Sequence, residues 1–279
     1  MRPAALLAAL AALLCGATLV QAQTLTLTDR DGSRTLSVRD LLTHPAAENI
    51  TIAPDPVYRR PMSYRAVPTA VLLKALKVGP DDYVQAEATD KFSAAIPARL
   101  LMAMPPADVE AYVAVEDPAS RWPQLPVKAG GKSDGKSAGP FYVVWQQKVR
   151  GQVSREYWAY KLASLTVTDS PAKRWPGLGV DESLPAADPI RRGLDRFVAF
   201  CMACHRFNGE GEGEQGPDLA RPMSPIEYFQ PAALKKYLRD PSSVRAWGDQ
   251  KMPGFDAENL PDSDIDAILA WLGYKAARK

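Results

Sequence analysis

Cysteine and histidine are scarce, with three Cys and two His among 279 residues. So few thiols exclude a disulfide-rich scaffold. An excess of charge of either sign is also missing: 34 Lys and Arg face 32 Asp and Glu, for a net charge of +2. With no basic run and no base-stacking motif, nothing argues for nucleic acid as a partner. Beyond the N-terminus there is no apolar run long enough to cross a bilayer. What remains is ordinary globular composition, 46% hydrophobic and 24% charged, in a chain long enough for one large domain or two smaller ones.

The first 22 residues read as an export signal rather than fold. Arg2 supplies a basic start, Ala4 to Leu14 an apolar stretch, and Val20-Gln21-Ala22 a small-x-small cleavage site before Gln23. The expectation is cleavage after about Ala22 and a periplasmic mature chain without a transmembrane span. The plain alternative is retention as an N-terminal anchor. A lipoprotein at Cys15 is disfavoured because bulky Leu14 precedes it. Cleavage removes Cys15 and leaves only Cys201 and Cys204.

From Gln23 to about Asp169 the pattern is mixed α/β. Thr24–Thr28 and Thr35–Val38 alternate as strands do, and Val67–Leu76 has the spacing of a short amphipathic helix. Tyr112–Val115, Phe141–Trp145 and Leu165–Val167 are compact runs suited to buried strands. Lys128–Gly139 is loop by composition. Ser170–Pro189, with four prolines, reads as an interdomain linker that cannot continue a helix, and residues 190–279 form a second, smaller unit. This half-chain of 23–169 has no Cys, one His and no Walker sequence, so no catalytic set is evident.

The densest signal is Cys201-Met202-Ala203-Cys204-His205. Two thiols three residues apart on one helical turn can each add to a haem vinyl group. The adjacent imidazole then faces the iron. A thioredoxin-like pair, half a zinc site and a buried disulfide compete. Zinc needs two further ligands, and only His44 is left, far upstream. A thioredoxin pair normally follows a strand, whereas this motif ends a helix. Around it, Gly193, Phe197 and Cys201 are four apart and share a helix face. Pro261-Asp262-Ser263-Asp264 opens a second helix, with Ile265, Ile268, Leu269 and Leu272 at helical spacing and Trp271 beside them. Gly193 would let the two helices cross closely, with Phe197 and Trp271 at the contact.

With these motifs in order, Ile190–Lys279 resembles a class I cytochrome c. The likeness runs through Gly193/Phe197, the haem cysteines, Gly216-Pro217-Asp218-Leu219, Tyr237-Leu238-Arg239-Asp240-Pro241, Lys251-Met252-Pro253 and the closing Ile268–Leu272 helix. The resemblance implies a small all-α domain around one covalent haem c, tethered at Cys201 and Cys204. It implies His205 and Met252 as the axial iron ligands, with the Pro217 carbonyl orienting the imidazole. Met223 is the runner-up for the distal place. His/Met ligation favours ferrous iron and leaves no open position, which points to outer-sphere electron transfer. Lys235, Lys236 and Lys251 could guide an acidic partner. Glu210, Glu212 and Glu214, interleaved with glycines, read as a polar loop near the haem.

The N-terminal part resembles, through weaker motifs, the molybdopterin domain of the sulfite-oxidase family. These motifs are Tyr64–Leu73, Ala88–Pro97, Gly139-Pro140 before Phe141–Trp145, and Trp158–Val167. That family's metal-ligating cysteine lies upstream of the Tyr64 segment. Here Thr51–Arg60 contains none, which argues against molybdopterin catalysis. Arg59, Arg60 and Arg65 could bind an anion or simply be surface charges. The resulting expectation is a two-domain α+β chain, a β-rich mixed α/β domain followed by an all-α cytochrome c domain. It would carry single electrons, its N-terminal domain docking periplasmic redox proteins or a membrane-bound respiratory complex. The rival readings are an oxidoreductase that feeds its own haem, and a haem-based sensor or peroxidase with a labile Met252.

Overall fold

The structure is a computed structural model that describes residues 23–104, 106–126, 135–246 and 252–278. The expected export signal, residues 128–134 of the Gly/Lys/Ser loop and Lys251 lie outside the described residues.

The N-terminal region is built on two sheets. Its strands are β1 (Thr24–Thr28), β2 (Ser33–Ser37), β3 (Glu48–Ile52), β4 (Met62–Pro68), β5 (Tyr83–Ala88), β6 (Ser93–Pro97), β7 (Val109–Val115), β8 (Phe141–Gln147) and β9 (Leu162–Thr168). One sheet has the order β2-β1-β9-β5-β6 and the other β3-β4-β7-β8. Alternation in β1 turns Leu25 and Leu27 into the core and its threonines outward. Strands β7 and β8 are buried almost throughout because they pair at the covered centre and edge of the second sheet. Short helices α1 (Val38–Leu42), α2 (Thr69–Leu73) and α3 (Ala98–Leu101) cap strand ends.

Two expectations need correction here. The helix predicted over Val67–Leu76 shrinks to α2, because Val67 and Pro68 pair with Val113 and Tyr112 of β7 and remain strand. Backbone pairing in the sheet outweighs the helical period. In the stretch Ser170–Pro189, a helical turn does form, α4 (Pro171–Arg174), with Pro at its first position where no N–H is needed. The stretch is also tied down. Leu178 is fully buried, its carbonyl accepts from Trp271 Nε1 at 3.3 Å, and Asp181 N donates to Tyr274 Oη at 3.0 Å.

The C-terminal region is helical: α5 (Pro189–Phe200), α6 (Pro225–Tyr228), α7 (Pro231–Arg239) and α8 (Asp262–Ala276). Asp188 caps α5 by accepting from Ile190 N at 2.8 Å, and Pro189 opens its first turn. Helices α5 and α8 cross at Gly193, where a Cβ would lie 2.1 Å from the Ala267 carbonyl oxygen. Phe197 stacks on Trp271 at 4.4 Å, and Phe207 closes the cluster at 4.9 Å from Trp271. The crossing expected from the sequence is the one found. Buried Asp264 on α8 receives Arg196 of α5 at 3.0 Å, fixing the helices' register with a charge pair.

Candidate functional site

The crossing aims the end of α5 at the site. Helix α5 stops at Phe200, and the chain continues as a tight turn in which Cys204 N and His205 N both bond the Cys201 carbonyl, at 3.1 and 2.9 Å. Cys201, Cys204 and His205 are therefore presented by a single turn. Neither cysteine is in a disulfide. Burial, with lesser help from the charge of Glu156 and from Cys204, pushes the Cys201 thiol up to about 12. It is a neutral thiol at ordinary pH, which disfavours thiolate redox chemistry.

His205 is buried, and its Nδ1 lies 2.7 Å from the Pro217 carbonyl oxygen. A carbonyl can only accept, so Nδ1 carries the proton and Nε2 presents its lone pair. Burial lowers the imidazole's pKa below its ordinary value, against the opposing pull of the Pro217 contact. The ring is a neutral donor with a fixed orientation, the condition a metal-ligating histidine requires. Gly216 lies flush against it, since a Cβ there would be 2.3 Å from His205 Cε1. The loop that supplies Gly216 and Pro217 is knotted by Asp218. Its carboxylate accepts backbone N–H bonds from Asn208, Gly209, Ala220 and Arg221 at 2.6–3.1 Å. Sequence reasoning left Asp218 without a role. The signal available was an Asp followed at close range by a turn with Asn-Gly on its other side.

Met252 is half-buried and packs against the hydrophobic core. Its loop is strapped to α7: Phe255 N donates to the Leu238 carbonyl at 2.9 Å, and Arg239 Nη1 donates to the Phe255 and Leu260 carbonyls at 2.9 and 2.6 Å. Met223 is 49% exposed and Met202 is buried in the core, whereas Met252 is half-buried. Of the lysines expected to guide a partner, Lys235 pairs with Asp266 on α8, while Lys236 is exposed.

The acidic loop serves as a structural tie. Glu212 accepts from Ser93 Oγ of β6 at 2.8 Å and pairs with Arg174, which also donates to Gln85 at 2.9 Å. Glu214 pairs with Arg206 at 2.5 Å. Among the described residues no group of three or more His, Cys, Asp and Glu is arranged to hold a metal ion.

In the N-terminal region, His44 uses Nδ1 to accept from Ala46 N at 3.1 Å, a local turn contact. Arg59 and Arg60 are exposed. The segment Thr51–Arg60 is closed by Asp55, fully buried, which accepts from Val57 N, Tyr58 N and Tyr64 Oη at 2.8 Å each. Nearby, a cavity of about 330 Å³ opens between this segment, the end of β8 and the loop after Met252, with Thr51, Trp145, Arg155, Trp158 and Asn259 on its walls. None of the four haem-site candidates lines it.

No curated protein matches the chain. Among solved structures, the sulfane dehydrogenase SoxCD from Paracoccus pantotrophus aligns at 18% identity with a TM-score of 0.34, over 53% of this chain and 38% of that one. The chain thus spans well under half of that relative's length. Residues 190–274 match the family described as Cytochrome c, so the helical C-terminal region is a cytochrome c domain, which implies haem c and a role in electron transfer.

Proposed function

We propose that this chain is a periplasmic carrier of single electrons with one haem c, tethered at Cys201 and Cys204 and ligated by His205 and Met252. The observation that carries the reading is His205: a neutral, buried imidazole with Nδ1 committed to Pro217 and Nε2 aimed away from that bond. Three further features fit the group: two thiols outside any disulfide on the same turn, a glycine flush against the ring, and a half-buried thioether.

Bound haem supplies an iron centre that changes oxidation state by one electron. Cys201 and Cys204 would hold that haem through thioether bonds, each sulfur joined to one vinyl carbon and the thiol hydrogen to the other. Pro217 holds the imidazole in one tautomer and one orientation. Met252 contributes a soft neutral donor that favours the reduced state. With His205 and Met252 both holding the iron, it would offer substrate no open position, and the residues' task would be to hold geometry constant during transfer.

In this proposal residues 23–169 form a docking domain for a periplasmic redox protein or a membrane-bound respiratory complex, joined through 170–189 to the haem domain at 190–279. Export with cleavage after about Ala22 belongs to the same reading. No helix among the described residues is long and apolar enough to cross a membrane. The lack of a thiol in Thr51–Arg60, where Asp55 accepts from three donors instead, supports reading the N-terminal region without a molybdopterin centre. One observation favours the oxidoreductase reading: the cavity of about 330 Å³ beside the haem domain could admit a small substrate. Metal and pterin analysis of the purified chain separates the two; a second redox cofactor would replace docking with catalysis.

Intact mass spectrometry of protein matured in a host that attaches haem tests the central claim. The expected mass is the processed polypeptide plus one haem, and Cys204→Ala should weaken covalent retention. A bare polypeptide mass overturns the proposal.

A further inference from the structure

One short segment of the N-terminal region touches both flanks of the haem site. After β8, residues 148–157 leave the sheet and end in a tight turn at Arg155–Tyr157. Within it, Ser154 Oγ donates to the Ala199 carbonyl at 2.6 Å, in a buried contact two residues before Cys201. Arg155 pairs with Asp256 at 2.5 Å, four residues beyond Met252. Gly151, at φ +81°, lies under the backbone of the same loop, and a Cβ there would sit 2.1 Å from the Glu258 carbonyl oxygen. The two flanks also meet each other, with Phe200 edge-on to Phe255 at 6.0 Å. Between them remains a crevice of only about 40 Å³, walled by Arg155, Phe200, Gly254, Phe255 and Asp256.

We infer that the segment Gly151–Arg155 is a brace that positions the Met252 loop, so that the N-terminal region sets how firmly Met252 is held as distal ligand. The inference rests on Met252 as that ligand. The ion pair by itself is weak, because both side chains are roughly half exposed, 52% and 43%. The backbone contact at Gly151 is the stronger part: any side chain there must displace the Glu258 backbone. Asp256 is also held by Asn259 N and Nδ2 at 2.9 and 2.7 Å. The loop is therefore ordered from within, and Arg155 and Gly151 fix where that ordered loop sits relative to Cys201. Gly151 and Arg155 touch neither haem ligand and act as positioning residues.

The test uses full-length, haem-loaded protein and three readouts: the methionine–iron absorption band near the red end of the ferric spectrum, the pH at which that band is lost, and carbon monoxide affinity of the ferrous form. Gly151→Ala should raise carbon monoxide affinity about tenfold and lower the pH midpoint by about one unit, as expected for a loop pushed by overpacking. Arg155→Gln should raise carbon monoxide affinity about threefold and lower the midpoint by about half a unit, the scale of a half-exposed pair. Unchanged readouts in both single variants overturn the brace. Should Gly151→Ala fail to mature, Arg155→Gln decides, unchanged readouts overturning the brace. A wild-type protein without the band overturns the assignment of Met252 together with the brace, whereas a wild-type band indifferent to Arg155 and Gly151 overturns the brace alone.

Discussion

At the scale of single residues, the site is a set of groups whose protonation is fixed before any cofactor arrives. Burial keeps the Cys201 thiol and the His205 imidazole neutral, and Pro217 decides which imidazole nitrogen is available. In the proposed site Met252 would add a donor that stabilises the reduced state. Met252→Ala should lower the reduction potential and let carbon monoxide bind the ferrous protein; an unchanged potential and spectrum would remove Met252 from the distal place. Asp218 is the residue that shapes the loop under His205. Burial opposes its ionisation, but backbone N–H bonds from Ala220, Gly209, Asn208 and Arg221 hold its pKa below the ordinary 3.8. A carboxyl depressed in the folded state contributes stability above its unfolded pKa and loses it as pH falls through the folded value. Asp218→Ala should therefore cost about 2 kcal/mol at neutral pH, since it strands charge-assisted donors. The gap from wild type should close in acid below about pH 4. Denaturant titrations at pH 7 and pH 3 check this, and an equal gap at both would contradict it.

At the scale of elements, the α5–α8 crossing decides whether the motif faces a haem at all. The helices approach until Gly193 lies on the Ala267 carbonyl, and Phe197 and Trp271 fill the space beside it. Gly193→Ala would place a carbon 2.1 Å from that oxygen. The helices must part, at a cost of about 1–3 kcal/mol, and the yield of covalent haem should fall with stability. Thermal melting together with haem staining measures both, and a variant of wild-type stability would show that the crossing has slack. The β elements show where pattern reading stops. Thr24–Thr28 declares itself by alternation, whereas β5 and β6, Tyr-Val-Gln-Ala-Glu-Ala and Ser-Ala-Ala-Ile-Pro, are alanine-rich and carry little strand propensity. They are strands because β9 pairs with β5 and β5 with β6.

At the scale of the whole molecule, the two regions are joined by more than their connecting chain. Ser154 reaches the end of α5, Glu212 is shared by Ser93 and Arg174, and residues 170–189 pack on α8 through Leu178. Such ties predict coupled unfolding. Far-UV circular dichroism and haem absorbance should report coincident thermal transitions. Ser154→Ala, which strands a buried carbonyl, should lower both by an amount equivalent to about 1 kcal/mol. Two well-separated transitions would show independent units. The same ties explain why Glu210–Glu214 could not be interpreted from sequence alone. Alternating Glu and Gly looks like a solvated loop, and only the distant Ser93 and Arg174 turn Glu212 into a tie.

The sequence by itself determined the chemistry of the haem site, because C-x-x-C-H places its reactive groups through local geometry on one turn, and because four-residue spacing fixes the faces of α5 and α8. It also determined the strands whose alternation is strong. The tertiary structure decided the rest: the pairing that makes strands of Ala-rich segments, the carbonyl that selects the His205 tautomer, and the approach of Gly151 and Arg155 to the loop after Met252. These depend on residues roughly 10 to 120 positions apart in the chain. Their meeting is set by burial and backbone pairing across the whole fold, which no local pattern records.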